Sequence, residues 1–193
     1  MIQDQIRQAI QGANQIGITS HIRPDGDAIG SVIGLGLALK NTGKQVQMVL
    51  HDGVSNTFKH LPGSDLIKKS FEGDCDLYIV LDASDLPRTG GVMDGRKIDI
   101  CIDHHITNEK FASINLVEPD AVATCAILTE LIPQIGLTID QPVASALLSG
   151  ILSDSIGFRT SNTNAQALRL AARLMDLGAN INELYNKALI SRP

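Results

Sequence analysis

Acidic and histidine side chains recur at four places in this sequence, each time where an apolar run ends. Carboxylates and imidazoles are the common general acids and bases of enzymes, and they are also ligands for divalent metal ions. Their positions therefore raise the question of whether they meet in one cleft. The set comprises His21, Asp25, Asp27, Asp82, Asp103, His104, His105 and Asp154.

Each of these residues also has a plain structural interpretation. A single Asp after a strand is usually a turn former or a helix N-cap, and Asp27 can cap the helix that follows it. His104 and His105 can be one core residue and one surface residue, and Asp154 can be a capping residue. Their joint placement favours metal binding, because converging acids would repel one another and lose hydration without cations between them.

The ligand types narrow the choice of metal. Asp and His without sulfur suit Mn²⁺, with Co²⁺, Zn²⁺ or Fe²⁺ as less distinctive choices, and an oxygen-only Mg²⁺ site fits less well. The set is large enough for two ions that share one carboxylate. Two ions about 3.5–4 Å apart lower the pKa of a shared water and hold the attacking and leaving oxygens of a phosphoryl transfer.

Five short apolar runs rich in Ile and Val predict the strands that position these residues. Several runs are apolar on both faces, which is typical of a buried parallel sheet. We therefore expect an α/β fold with a mainly parallel five-stranded sheet, and right-handed crossovers that place helices on both of its faces. Ligands collect at the carboxyl ends of such strands. The predicted strands are 16–21, 45–50, 77–82, 98–103 and 113–118.

Helical spacing of apolar residues appears between the first two strands and dominates after residue 120. Residues 28–43 predict a helix that ends near Gly43 and aims its N-terminal amides at the cleft. The later part predicts a helical C-terminal region. Its four segments are 121–132, 141–156, 164–178 and 181–190.

Composition limits the class of protein and its partners. With 193 residues, 44% of them hydrophobic and 19% charged, the chain is globular, and no apolar run reaches the roughly 20 residues that span a bilayer. The N-terminus resembles neither a signal nor a transit peptide, so we expect a cytoplasmic protein. A net charge of −5 with no Trp argues against a long duplex nucleic acid as partner. Cys101 and Cys125 are expected to be buried, reduced thiols.

Four motifs in this chain resemble those of the DHH phosphoesterase superfamily. HIRPDGDAIGS is similar to the first motif, VLDASD to the second, DHH to the third and GILSDSIGFRT to the fourth. Their order and spacing match across nearly the whole chain. The chain is most similar to the oligoribonuclease and pAp-phosphatase branch, and less similar to family II inorganic pyrophosphatases and single-strand DNA exonucleases.

The resemblance implies two Mn²⁺ ions bridged by Asp82. His21 and Asp25 would complete the first site. The second site would be completed by Asp27, His104 and Asp154.

The resemblance also implies roles for residues around the ions. Asp103 would orient a metal-bound histidine, and His105 would face the substrate phosphate or donate a proton to the leaving group. Together with Asp82 they are the predicted catalytic residues. Arg159 is a predicted phosphate contact, although a solvated arginine at a helix end explains it equally well. Ser31, next to Gly30, is expected to approach the substrate closely.

The function expected from this resemblance is hydrolysis of short oligonucleotides, dinucleotides or 3′-phosphoadenosine 5′-phosphate by a metal-bridging hydroxide. An inorganic pyrophosphatase and a non-catalytic nucleotide-binding module are the alternatives, and a homodimer is a further expectation. In this family a smaller DHHA1-type domain normally follows and grips the substrate. Residues 1–193 correspond to the DHH domain alone, so the chain is expected to be either a truncation at a linker near ISRP or a single-domain relative.

Overall fold

Residues 1–190, which the computed structural model describes, form a sheet of six strands in the order β3-β2-β1-β4-β5-β6. Every neighbouring pair is parallel. The parallel α/β fold and all five predicted strands are confirmed, but the count was one too low, because β3 has two residues and leaves no hydrophobic pattern. The strands are β1 Gln15–Thr19, β2 Gln45–Val49, β3 Ile67–Lys68, β4 Leu77–Leu81, β5 Ile100–Asp103 and β6 Ile114–Val117.

The described part of the chain also contains six α-helices, and the predicted helical C-terminal region is confirmed. A π-helical turn, Asn186–Ile190, ends the described residues, so most of the linker expected at ISRP lies outside them. Within residues 1–190, no helix combines the length and the apolar content needed to cross a membrane. The helices are α1 Ile2–Gly12, α2 Gly26–Lys40, α3 Thr124–Gln134, α4 Gln141–Asp154, α5 Ala165–Asp176 and α6 Ile181–Tyr185.

The two faces of the sheet are covered differently. Ile79 and Leu81 of β4 lie in the main core, to which all six helices of the described residues contribute. Tyr78 and Val80 point the other way and pack in a small cluster with Met93. The prediction of helices on both faces is therefore wrong.

The strand order explains this asymmetry. The chain moves outward from β1 to β3 and then returns to β4, β5 and β6, so right-handed crossovers in the two directions fall on opposite faces. The connections that cross the second face are 69–76, 82–99 and 104–113. Among the described residues they form a single 3₁₀ turn, Pro87–Thr89, and no α-helix.

Helices α2 and α4 pack closely and run antiparallel, with Gly30 at their contact. A Cβ on Gly30 would lie 2.5 Å from the carbonyl oxygen of Ala146 and 3.1 Å from Sγ of Cys125. Gly30 thus serves helix packing, and it does not approach a substrate as the sequence suggested. The contact sets the start of α2, which carries Asp27, beside the end of α4, which carries Asp154.

We expect Gly30→Ala to lower the free energy of unfolding by about 1 kcal/mol or more, because overpacking at Ala146 exceeds the gain in helix propensity. Urea denaturation followed by circular dichroism measures the change. Gly12→Ala is the matched control, since a Cβ there meets nothing within 4 Å. Equal stability of Gly30→Ala and the unsubstituted protein would contradict the close approach of α2 and α4.

Candidate metal centre

The carboxyl ends of β1, β4 and β5 meet the start of α2 and the end of α4 at one crevice. The crevice lies where the strand order reverses, between β1 and β4, which is the usual ligand site of an open parallel sheet. All the residues predicted as metal ligands come together there. They are His21, Asp25, Asp27, Asp82, His104 and Asp154.

Asp82 lies at the middle of this cluster. Its side chain is 2% exposed, and its backbone has φ of 53°, an unfavourable conformation that is common at functional sites. Oδ2 of Asp82 is 3.5 Å from Nε2 of His21, and Oδ1 is 3.6 Å from Nε2 of His104. The two oxygens therefore face two different imidazoles, which is the arrangement a bridging carboxylate needs.

His21, Asp25 and Asp82 form the first ligand group, with one donor atom from each residue within 4.8 Å of the others. Nδ1 of His21 is 2.8 Å from the carbonyl oxygen of Ile22, which leaves Nε2 for the carboxylates. Burial lowers the pKa of His21, but hydrogen bonds to Asp82 and Ile22 and the nearby negative charges outweigh this and raise it.

His104 lies at the centre of the second group of candidate ligands. Its Nε2 is 4.0 Å from Oδ2 of Asp27 and 3.8 Å from Oδ2 of Asp154, in addition to its contact with Asp82. Its Nδ1 is 3.2 Å from the carbonyl oxygen of Ala121, which fixes the ring. One imidazole nitrogen thus lies within 4.0 Å of three carboxylates. The group here whose donor atoms all lie within 4.8 Å of one another is Asp82, His104 and His105.

Asp27 is buried at the N-terminus of α3. Its Oδ2 accepts a hydrogen bond from the Thr124 amide at 2.6 Å, and its Oδ1 accepts one from the Cys125 amide at 2.9 Å. These amides and the positive end of the α3 dipole stabilise the carboxylate. The alternative role of Asp27, as the cap of α2, does not apply.

Asp25 is the actual N-cap of α2. Its Oδ1 accepts hydrogen bonds from the amides of Asp27 and Ala28 at 2.9 and 3.1 Å. The helix therefore begins at Gly26, two residues before the predicted start. A capping role and a ligand role are combined in one side chain, since a carboxylate has lone pairs enough for both.

The acids of the cluster resist joint ionisation. The pKa of Asp27 is raised well above its ordinary value, first by burial and then by the negative charges of Asp82 and Asp154. Burial likewise raises the pKa of Asp154 to about 6, against the opposing effect of His104. A divalent cation would relieve this repulsion, so the donor set fits a metal ion.

Asp103 and His105 form a hydrogen-bonded pair in contact with the cluster, since Nδ1 of His105 is also 3.7 Å from Oδ1 of Asp82 and the His104 amide donates to Oδ1 of Asp103. Oδ1 of the fully buried Asp103 is 2.7 Å from Nδ1 of His105, and its Oδ2 accepts a 2.7 Å hydrogen bond from Nδ2 of Asn108. The Asp103 hydrogen bond raises the pKa of His105, while burial and the charge of Arg88 oppose the rise. Asn108 was not predicted, because nothing in its local sequence distinguishes it from a loop residue.

The two predicted substrate contacts outside the cluster have different outcomes. Arg159 lines a cavity of about 530 Å³ together with Asp25 and Asp154, so it lies beside the centre. Ser31 is fully buried, with its Oγ 3.3 Å from Sγ of Cys125. The prediction for Ser31 is wrong, because this position on α2 faces α3 and the core.

Two arginines near the centre were missed by the sequence reasoning. Arg23 and Arg88 line a second cavity of about 500 Å³ with His21, Ile22 and Asp25. Arg23 lies inside the first motif, HIRPDGDAIGS, and Arg88 comes three residues after the second motif, VLDASD. That spacing was the available signal, but it does not show which arginine turns back towards the cleft.

Comparisons with known proteins agree with this geometry. The model of the DHH family, N-terminal domain, matches residues 15–151. A bifunctional oligoribonuclease and PAP phosphatase NrnA from Thermus thermophilus is 35% identical over 192 residues, covering 98% of this chain and 57% of the relative. The corresponding protein of Mycoplasma genitalium is 32% identical over 185 residues, covering 92% and 58%. The chain spans less than two thirds of the length of these relatives.

A solved structure gives the same fold. An exopolyphosphatase-related protein from Bacteroides fragilis superposes with a TM-score of 0.90 at 27% identity, over 100% of this chain and 61% of that one. The arrangement of strands and helices around the crevice is therefore shared with an experimentally determined relative.

We expect Mn²⁺ to raise the melting temperature of the metal-free protein, with a stabilisation of about 2.7 kcal/mol at a hundred times the Kd. Asp82→Asn should reduce this response sharply, because both ligand groups lose the shared carboxylate. Thermal melts in EDTA and in Mn²⁺ measure it. Asp74→Asn is the control, since Asp74 is exposed just before β4, at the amino ends of the strands and away from the crevice. Equal responses of Asp82→Asn and the unsubstituted protein would exclude a shared ligand.

The raised pKa of Asp154 should make metal affinity depend on pH. The pKa of Asp154 is about 6, so below that pH its carboxyl group is mostly protonated in the metal-free protein. The proton must leave before a cation binds. We expect this group to raise Mn²⁺ affinity about tenfold between pH 5 and pH 7. Calorimetric titration across this range tests it. An Asp154→Asn profile as steep as that of the unsubstituted protein would contradict the assignment.

Proposed function

This chain belongs to the DHH family, and from that membership we propose that it is a metal-dependent phosphoesterase acting on very short nucleotides. The substrates in this proposal are dinucleotides, short oligonucleotides and 3′-phosphoadenosine 5′-phosphate. The observation that carries the proposal is the position of Asp82 between two groups of ligands.

The donor chemistry favours two Mn²⁺ ions. Each group combines imidazole nitrogen with carboxylate oxygen and contains no sulfur, a mixture that suits Mn²⁺ better than Mg²⁺. His21 and Asp25 would hold one ion and Asp27, His104 and Asp154 the other, with Asp82 common to both. When bound, such a pair supplies a water of lowered pKa and neutralises charge on the phosphoryl oxygens.

His105 is the group best placed to handle the proton of the leaving oxygen. Its Nδ1 donates to Asp103, so Nε2 remains for the substrate. The side chain is 34% exposed, unlike the other imidazoles of the centre, and can therefore reach a bound molecule. Its raised pKa keeps it protonated to a higher pH than a free histidine, which suits a general acid.

The surroundings of the centre favour a small substrate. Two cavities of about 530 and 500 Å³ flank it, one lined by Arg159 and Tyr185 and the other by Arg23 and Arg88. Each is of a size that holds a small molecule. With a net charge of −5, the chain does not offer the broad basic surface that a long duplex requires. We also propose a cytoplasmic location and a homodimer, as expected from the sequence.

We expect Asp82→Ala to lose at least about a thousandfold in kcat on a 5′-phosphorylated dinucleotide, because the centre can no longer hold its ions or orient water. His105→Ala should lower kcat by about 10²–10⁴-fold with a smaller change in KM. The assay uses the full-length protein in Mn²⁺, with Asp74→Asn as the control that keeps full activity.

Three substrates separate the alternatives in that assay. Dinucleotide, 3′-phosphoadenosine 5′-phosphate and inorganic pyrophosphate are each offered to the unsubstituted protein. Turnover of pyrophosphate alone would identify a pyrophosphatase. Binding of dinucleotide in calorimetry without any product would identify a non-catalytic nucleotide-binding module, and either result would refute the proposal.

A further inference from the structure

The cavity between Arg23 and Arg88 lies beside the candidate metal centre but outside its set of ligands. It has a volume of about 500 Å³ and shares His21 and Asp25 with the first ligand group. Arg88 lies close enough to His105 for its charge to affect that imidazole. Two guanidinium groups therefore border the crevice on the side of β1 and β4.

Neither guanidinium group has a partner among residues 1–190. The Arg23 amide donates to Asp52, and the Arg88 amide donates to Asp85, so these carboxylates fix the backbone and not the charged ends. Among the described arginines, Arg7 pairs with Asp4 and Arg96 donates to Tyr78, so an arginine of this chain can be engaged where a partner is close. The two positive charges beside the centre are thus free to bind an anion.

The backbone that carries these arginines is held in an unfavourable shape. Arg23 has φ of 50°, a left-handed conformation that costs a non-glycine residue stability, and the 2.6 Å hydrogen bond from its amide to Asp52 stabilises it.

The amide of Ile22 donates to the carbonyl oxygen of Arg88 at 2.6 Å, which ties the two arginine loops together. Gly90 lies at this junction with φ of 69°, and there is no room for a side chain on it. A Cβ there would lie 2.9 Å from Cγ of the His51 ring. The two arginines are consequently presented by one preorganised pair of loops.

We propose that Arg23 and Arg88 bind a terminal phosphate monoester of the substrate, next to the phosphate that is cleaved. This assignment rests on the proposed function, in which the cations of the metal centre neutralise the scissile phosphate. Arginines outside the ligand set are then available for a second phosphate, whose oxygens match the planar fork of a guanidinium. The preferred substrates are nucleotides with two phosphate groups, over dinucleotides without a terminal phosphate.

The test compares one dinucleotide with and without its 5′-phosphate in the full-length protein. The measured quantity is kcat/KM for the phosphorylated dinucleotide divided by kcat/KM for the unphosphorylated one. We expect this ratio to fall by about tenfold or more in Arg23→Asn and in Arg88→Gln, mainly because KM for the phosphorylated substrate rises. Asn tolerates the left-handed backbone at position 23, so that variant removes the charge and keeps the turn. Arg88→Lys should restore part of the ratio, because it returns the charge without the fork. Arg169→Ala on α5, exposed and remote from the cleft, should leave the ratio unchanged.

Two kinetic outcomes would overturn the assignment. An unchanged ratio with normal rates would show that the arginines bind no phosphate. An equal loss on both substrates would show that they act on the scissile phosphate.

A binding measurement decides the matter independently of turnover. Calorimetry in EDTA compares AMP with adenosine, which differ only by the phosphate, so no bound cation contributes. A preference for AMP that disappears in Arg23→Asn and Arg88→Gln supports the phosphate site even if no nucleotide is hydrolysed. Absence of hydrolysis would refute only the proposed function. Equal binding of AMP and adenosine by the unsubstituted protein would refute the phosphate site and leave the proposed function standing.

Discussion

Several carboxylates share one buried crevice, and the rest of the structure is arranged around the repulsion between them. Asp27 and Asp82 are almost completely buried, and Asp154 lies close to both. Isolated charges in such a place cost several kcal/mol each. The amides at the start of α3, the hydroxyl of Thr124 and the imidazoles around Asp82 compensate in part. The raised pKa values of Asp27 and Asp154 show that the compensation is incomplete, and this deficit is what a bound cation would remove.

The fold meets this constraint with rigid elements. Strands β1, β4 and β5 end at the same edge of the sheet, and the reversal of strand order opens a crevice at that edge. The close contact of α2 and α4 at Gly30 then brings Asp27 and Asp154 together from positions far apart in the sequence. These elements are buried and well packed, which fixes the backbone positions that carry the candidate ligands.

Around the buried carboxylates lies a more exposed ring of groups that a substrate can touch. His105, Arg23, Arg88 and Arg159 belong to it, and each is more accessible than Asp27 or Asp82. Of these four side chains, His105 is fixed by its hydrogen bond to Asp103. In the proposed function, the buried set holds the cations and the exposed ring contacts the substrate.

The sequence alone determined the parallel sheet, its five longer strands and the residues at their ends, because buried parallel strands leave apolar runs and a strand end is marked by the first polar residue. The family resemblance grouped the six candidate ligands. The pairing of Asp103 with His105 came from the structure, since the sequence had assigned Asp103 to a metal-bound histidine. Tertiary structure alone decided which face of α2 each residue occupies. Gly30 and Ser31 were therefore expected near the substrate but pack in the interior, whereas Asp25 and Asp27 lie at the crevice as expected. Tertiary structure also decided that the six α-helices of the described chain lie on one face, and that Arg23 and Arg88 of two separate loops line one cavity. Such features depend on contacts between segments distant in the chain, and local periodicity carries no record of those contacts.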